Sequence, residues 1–281
     1  MHGKIVMITG ANSGIGREAA IRLAAKGAHI VAVCRNASKG RRAVEEIRSL
    51  SGNPSVDLML ADMSSLESVR RLALDFKAQF DRLDVLINNA GARYGKRTIT
   101  ADGYEQTFSV HYLAPFLLTL LLRDVLIKST SSRVVNVSSG AHSVGHMDFE
   151  NLMGEKYYNG TDAYCQAKLA LVMFTLELAD KWKDKGVTVN ALHPGVVKTN
   201  FMKNSSGLYA IVGTIMVAFK GISAEKGAET TIYLASSQDV EGVTGKFFHF
   251  KNPIPHNPEA DNLVLRNRLW KMSERMAGIV A

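Results

Sequence analysis

Hydrophobic positions fall into short apolar runs, separated by longer stretches in which apolar residues recur every third or fourth place. The first run, Ile5-Val6-Met7-Ile8, lies in a strand predicted over Lys4–Thr9. A helical pattern over Arg17–Lys26 follows and stops at Gly27, a residue suited to the left-handed helix end. Further strands are predicted at His29–Cys34, Val56–Leu60, Leu83–Asn88, Arg133–Ser138, Val187–Leu192 and Gly245–Phe250. Helices are predicted at Lys39–Leu50, at Ser65–Phe80 with Ser64 or Ser65 as cap, at Phe108–Leu126 and at Ala163–Lys185.

The predicted strands are β-branched and continuously apolar, not alternating. A strand covered on both faces needs that pattern, and a parallel sheet supplies the cover. Strands and helices take turns, so the expected fold class is α/β, a doubly wound parallel β-sheet with helices on both faces. Its strand order reverses at one point, which opens a cleft at the carboxyl ends of the strands. No composition shift marks a boundary, and a single domain over 1–281 is expected.

Composition narrows the function. Hydrophobic residues make up 46% of the 281, enough for a sizeable core. Lys plus Arg number 34 against 26 Asp plus Glu, a net charge of +8. The basic residues are dispersed, and the densest group, Lys39, Arg41 and Arg42, is too short for a nucleic-acid groove; no nucleic-acid partner is expected. Two distant cysteines, Cys34 and Cys165, and eight histidines without ligand spacing point to neither a disulfide framework nor a metal site. No apolar run reaches the ~20 residues that span a bilayer. The first strand stands where a signal peptide would have its apolar stretch, so a soluble, cytoplasmic protein is expected.

Chemistry enters directly after the first strand, in Thr9-Gly10-Ala11-Asn12-Ser13-Gly14-Ile15-Gly16. Gly10 permits a tight turn, Gly14 a close approach of backbone to a diphosphate, and Gly16 close packing of helix on strand. The free N–H groups of the following helix face the anion. A glycine pattern alone is weak, but this one sits between a strand and a helix in a βαβ unit. The second strand ends Val33-Cys34-Arg35-Asn36, without the carboxylate that holds the ribose 2′-hydroxyl of NAD. A guanidinium suits a 2′-phosphate, so Arg35, with Ser13 or Lys39 assisting, points to NADP(H).

Six motifs in order resemble the short-chain dehydrogenase/reductase family over nearly the whole chain. They are the glycine loop; Asp62-Met63; Asn88-Asn89-Ala90-Gly91; Asn136-Val137-Ser138-Ser139; Tyr164-Cys165-Gln166-Ala167-Lys168; and His193-Pro194-Gly195 with Val197 and Thr199. The likeness is greatest to the retinol-dehydrogenase-like branch, on Cys34-Arg35, Phe149-Glu150-Asn151-Leu152, Ala163-Tyr164-Cys165 and His193-Pro194-Gly195-Val196-Val197. The resemblance implies a Rossmann fold. It implies cofactor contacts from Gly10, Asn12, Ser13, Gly14, Ile15, Gly16, Arg35, Asp62, Met63, Asn89, Ala90, Gly91, Tyr164, Lys168, Pro194, Gly195, Val197 and Thr199. It also implies hydride transfer between a carbonyl and an alcohol, with Lys168 holding the nicotinamide ribose.

The residues fit that chemistry. A tyrosine hydroxyl can move a proton to or from the carbonyl oxygen, but its usual pKa near 10 is high for base work. Lys168 lies four places after Tyr164 on the same helical face, where its charge is expected to favour tyrosinate. Ser139 can donate to the carbonyl oxygen, with Ser138 as the alternative serine. One position departs from the family: His111 stands where an asparagine supports a proton relay. Imidazole also donates and accepts, so His111 joins the candidate catalytic set, and it equally keeps open a second reading, a catalytically weak dinucleotide-binding regulatory or scaffold protein.

Beyond Thr199 the chain changes character. Leu208–Phe219 is apolar and contains Met216, and a lid around 200–222 is expected over a lipophilic carbonyl or alcohol substrate of retinoid, steroid or fatty type. Lys203 and Lys220 flank the run, which would suit peripheral contact with a membrane surface. The segment holding His142, Met147, Tyr157 and Tyr158 is expected to form the other wall. The apolar helices at Phe108–Leu126 and Ala163–Lys185 are candidate homodimer faces.

Overall fold

The computed structural model describes residues 1–197 and 221–279. Its centre is a sheet built from β1 (Ile5–Thr9), β2 (His29–Cys34), β3 (Val56–Leu60), β4 (Val85–Asn88), β5 (Ser132–Val137), β6 (Val187–His193), β7 (Phe247–His249) and β8 (Asn252–Ile254). The spatial order is β3-β2-β1-β4-β5-β6-β7-β8. All neighbours pair in parallel except β7 and β8, which form an antiparallel hairpin. The order reverses between β1 and β4, the expected switch point.

Helices cover both faces. On one lie α1 (Gly14–Ala25), α2 (Ala37–Ser51) and, later in the chain, α8 (Ala224–Ser236). On the other lie α3 (Leu66–Gln79), then α4 (Gln106–Phe108), α5 (Ala114–Leu121), α6 (Arg123–Lys128), α7 (Gly160–Lys181) and α9 (Leu263–Met276). Side-chain caps set many of the starts. Asn36 accepts from the Lys39 N–H, Ser65 from Ser68, Asn159 from Thr161 and Asn262 from Val264, each satisfying an N–H that the helix cannot.

Three expectations are corrected. The helix predicted over Phe108–Leu126 is broken: a π-turn occupies Ser109–Leu113 between α4 and α5, and a second break falls at Leu122. Pro115 has no N–H to donate to the carbonyl four residues back, at His111, so the ladder widens there. The expected dimer faces are largely covered by the same chain. Trp270 of α9 packs on Phe116 and Phe174 at ring-centroid distances of 5.1 and 6.0 Å, and the Tyr112 hydroxyl hydrogen-bonds Ser273 at 2.6 Å. Finally, Tyr157 and Tyr158 do not wall the main cleft. They line a separate cavity of about 240 Å³ with Glu105 and Asp148, while Met147 is buried in the core.

No helix among the described residues is long and apolar enough to cross a membrane. The lid expected around 200–222 lies almost wholly outside the described residues, as do Thr199, Lys203 and Lys220.

Candidate active site

A cleft of about 500 Å³ opens at the carboxyl ends of β1, β4, β5 and β6. One end is the loop from Gly10 to Gly16. Gly10 has φ +70°, and a Cβ on Gly16 would stand 2.4 Å from Asn89 Nδ2 and 2.5 Å from the Gly10 carbonyl oxygen. The contact with Asn89 joins this loop to the one after β4. Asn89 Nδ2 donates to the Thr9 carbonyl at 2.8 Å, and Thr9 Oγ1 accepts from the Asn89 and Ala90 N–H groups, both at 3.0 Å. Helix α1 begins without a side-chain cap and without an acidic residue in its first turn, so its N-terminus keeps N–H donors for an anion.

A smaller cavity of about 160 Å³ adjoins Gly10 and Asn12 and is lined by Arg35, Asp62 and Met63. Arg35 stands 3.8 Å from Asp62, with side-chain exposures of 69% and 39%. An ion pair this open is worth little, and the guanidinium keeps donors for another anion. Lys39 does not line this cavity. Ser13 lines the main cleft instead.

The opposite end of the cleft gathers Ser139, Tyr164, Lys168 and His111. Two bonds clamp β5 to α7. Lys168 Nζ donates to the Val137 carbonyl at 2.8 Å, and Ser138 Oγ donates to the Lys168 carbonyl at 3.0 Å. Deeper, Asn88 Nδ2 donates to Asn136 at 2.8 Å and to Thr119 at 3.1 Å, and Asn136 Nδ2 donates to Thr175 at 2.9 Å. This buried chain ties both strands to α5 and α7. Ser138 is thus turned toward the helix backbone. Ser139 Oγ accepts the Ala141 N–H at 3.2 Å and makes a side-chain hydrogen bond with Tyr164.

Burial sets the protonation states. It pushes the Tyr164 hydroxyl up to about 12, with the Ser139 hydrogen bond and Arg93 acting in the opposite sense. Burial pulls the Lys168 ammonium down to about 7. The expected lowering of Tyr164 by Lys168 is therefore not what the geometry delivers. Lys168 Nζ is 5.8 Å from the Tyr164 ring centroid and is turned to Val137. His111 is held neutral, well below its ordinary range, by burial and by the nearby Lys168 charge. Its Nε2 hydrogen-bonds the Ala92 carbonyl at 2.7 Å, and its ring stands edge-on to Tyr164 at 5.2 Å. Gly91 makes room for it, since a Cβ there would lie 2.5 Å from the His111 ring.

Pro194, Gly195 and Val197 line the same cleft, as do Asn12, Gly14, Ile15 and Ala90. The expected residues thus come together, apart from Arg35, Asp62 and Met63 in the side cavity and Thr199 outside the described residues. Among the lining residues, His193 belongs to the quoted His193-Pro194-Gly195 motif, whereas Ala92, Arg93 and Ala141 lie outside every quoted motif. His193 stacks on His249 at 4.7 Å and is pushed down to about 4 by burial. Arg93 follows the Asn88–Gly91 motif by two places, in a loop where no periodicity marks it.

An open α/β sheet with a phosphate-type loop at its switch point and a Ser, Tyr and Lys cluster facing it defines a dinucleotide-dependent oxidoreductase framework. The family model for short chain dehydrogenase matches residues 4–207, and the chain belongs to the short-chain dehydrogenase/reductase family, in its retinol-dehydrogenase-like branch. Retinol dehydrogenase 13 of Mus musculus is 41% identical over 284 residues, covering 99% of this chain and 84% of that protein. Retinol dehydrogenase 12 of Homo sapiens is 41% identical over 277 residues, covering 99% and 87%. Among solved structures, an uncharacterised protein of Mycobacterium paratuberculosis superposes with TM-score 0.80 at 32% identity, covering 99% of this chain and 94% of that one. A blue fluorescent protein from a metagenomic library, solved in complex with NADPH, gives TM-score 0.70 at 26% identity, covering 88% and 96%. The family uses a nicotinamide dinucleotide and interconverts carbonyl and alcohol groups.

Proposed function

We propose that this protein is an NADP(H)-dependent oxidoreductase that interconverts a lipophilic aldehyde or ketone with its alcohol, Tyr164 being the acid/base. The observation that carries this reading is the convergence of Ser139, Tyr164 and Lys168 in the cleft whose far end is the Gly10–Gly16 loop.

The residues fit the dinucleotide. The uncapped start of α1 suits a diphosphate, Gly10 and Gly16 let the loop pack tightly on Asn89 and Ala90 beside it, and Arg35 suits a 2′-phosphate. When bound, the cofactor supplies or accepts the hydride. Tyr164, kept protonated by burial, holds the proton that carbonyl reduction consumes. Ser139 donates to the carbonyl oxygen as charge grows on it. Lys168, which holds the end of β5 through the Val137 carbonyl, would hold the nicotinamide ribose. The hydrogen bond of His111 to Ala92 and its ring contact with Tyr164 support a role for this neutral imidazole in the proton relay behind the pair, where the alternative role is to interrupt it. The relatives named for retinol and the apolar Leu208–Phe219 run favour a lipophilic substrate, with the Lys203- and Lys220-flanked run meeting a lipid surface.

The test is an NADPH-oxidation assay over aldehydes, including retinal, ketones and quinones. Turnover on a lipophilic carbonyl is expected. Dinucleotide binding without turnover across the panel would instead support the regulatory reading. Cofactor choice is checked by titration: Arg35→Ala weakens NADP(H) binding about tenfold to a hundredfold and leaves NAD(H) nearly unchanged, as loss of a charge-assisted contact predicts. Tighter binding of NAD(H) than of NADP(H) by the unaltered protein would sink the assignment.

A further inference from the structure

The wall of the cleft over Tyr164 contains a cation that the Ser, Tyr and Lys motif does not include. Arg93 lies in the loop after β4, with its guanidinium carbon 4.8 Å from the centroid of the Tyr164 ring. That is closer than Lys168 Nζ, at 5.8 Å. The loop is pinned against the start of α7. Arg93 Nη2 donates to Thr161 Oγ1 at 2.8 Å, and Gly160 is so close to the loop that a Cβ there would stand 2.7 Å from the Tyr94 carbonyl oxygen. The Thr161 bond is the one hydrogen bond Arg93 makes to side chains or backbone among the described residues, and Arg93 lines the cleft.

We infer that Arg93 is a second cation of the catalytic centre, fixed on the ring face of Tyr164 to stabilise the negative charge that forms on its oxygen. This rests on the reading of Tyr164 as the acid/base. The charge balance around the ring supports it. Among the described residues, Tyr164 is faced by Arg93 from the loop after β4, by neutral His111 from the π-turn, by the Ser139 hydroxyl after β5, and by Lys168 and Cys165 of its own helix. Of these, Lys168 is weakened as a cation by its own burial, whereas a guanidinium stays charged at any working pH. A cation over an aromatic face is attracted to the ring, and more strongly once the ring carries a phenolate. When an alcohol is oxidised, its hydroxyl proton passes to the Tyr164 phenolate, the hydride leaves for the oxidised cofactor, and the carbonyl forms. Arg93 acts through the population of that phenolate, as a positioning residue.

The experiment compares the unaltered protein with Arg93→Gln, Arg93→Lys and Tyr164→Phe. Oxidation of a long-chain primary alcohol or retinol by NADP⁺ is followed from pH 6 to 10. Arg93→Gln is expected to displace the rising limb of kcat upward by about one pH unit, hence to lower kcat about tenfold at a fixed pH on that limb. NADP⁺ affinity is unchanged, and Arg93→Lys restores most of the profile. The second readout needs no turnover. In protein carrying ζ-¹³C tyrosine, the resonance missing from Tyr164→Phe identifies Tyr164, and its titration in Arg93→Gln runs to higher pH than in the unaltered protein. Superimposable profiles and identical titration would overturn the inference, as would a rise in KM alone with no displacement in pH. Should Tyr164→Phe retain turnover, the acid/base reading fails by itself, and the resonance titration still decides whether Arg93 acts on the ring.

Discussion

Tyr164→Phe binds the dinucleotide as the unaltered protein does and loses turnover by a factor on the order of 10²–10⁴, the range general acid–base catalysis contributes. The substitution removes one oxygen from a ring that packing holds in place, among His111, Arg93 and the backbone of α7. The clamps that register the site do not involve that oxygen. Lys168 still reaches Val137, and Ser138 still reaches the Lys168 carbonyl. Melting temperature and dinucleotide affinity are therefore expected to change little while kcat collapses. Single-turnover kinetics with NADPH separate binding from chemistry, and near-normal turnover would remove Tyr164 from the reaction.

The largest expected effect on stability lies well away from the cleft. Trp270 of α9 is 8% exposed and packs on Phe116 and Phe174, with Lys181 Nζ 4.8 Å above its ring. Trp270→Ala removes the largest side chain of that contact and leaves a cavity whose walls, on α5 and α7, are anchored to the sheet. A loss of about 3–5 kcal/mol follows from the usual cost of such truncations. Urea unfolding would show it as a lower midpoint at unchanged slope. A midpoint within error of the unaltered protein would mean that α9 is dispensable to the core.

The parts of this design that sequence made readable are those encoded locally. The glycine loop is a strand, a turn and a helix start within a dozen residues, and each glycine answers to one steric need. The seven parallel strands announce themselves as continuous apolar runs. What escaped depends on contacts distant in sequence. The π-turn carrying His111 follows from one missing N–H at Pro115, inside a segment whose apolar pattern reads as unbroken helix. The edge strand Asn252–Ile254 contains a proline and only one large apolar residue, so only its pairing with β7 marks it as a strand. Helix α9 begins exposed at Leu263 and Val264 and buries Leu269 and Trp270 only because α5 and α7 lie beneath. Arg93 was unreadable for the same reason: nothing in its neighbours tells that α7 will bring Tyr164 under its guanidinium.

Helix α9 also keeps α7, the helix that carries Tyr164 and Lys168, in place. Arg266 pairs with Glu177 at 3.0 Å and with Asp180, both on α7, and the Tyr104 hydroxyl donates to the Met276 carbonyl at 3.0 Å. A cover joined to the helix by the polypeptide is present at an effective concentration fixed by that connection, not by the number of molecules in solution. The packing of α7 against α9 is then insensitive to dilution, with none of the mass-action dependence of a helix whose cover is borrowed from a second subunit.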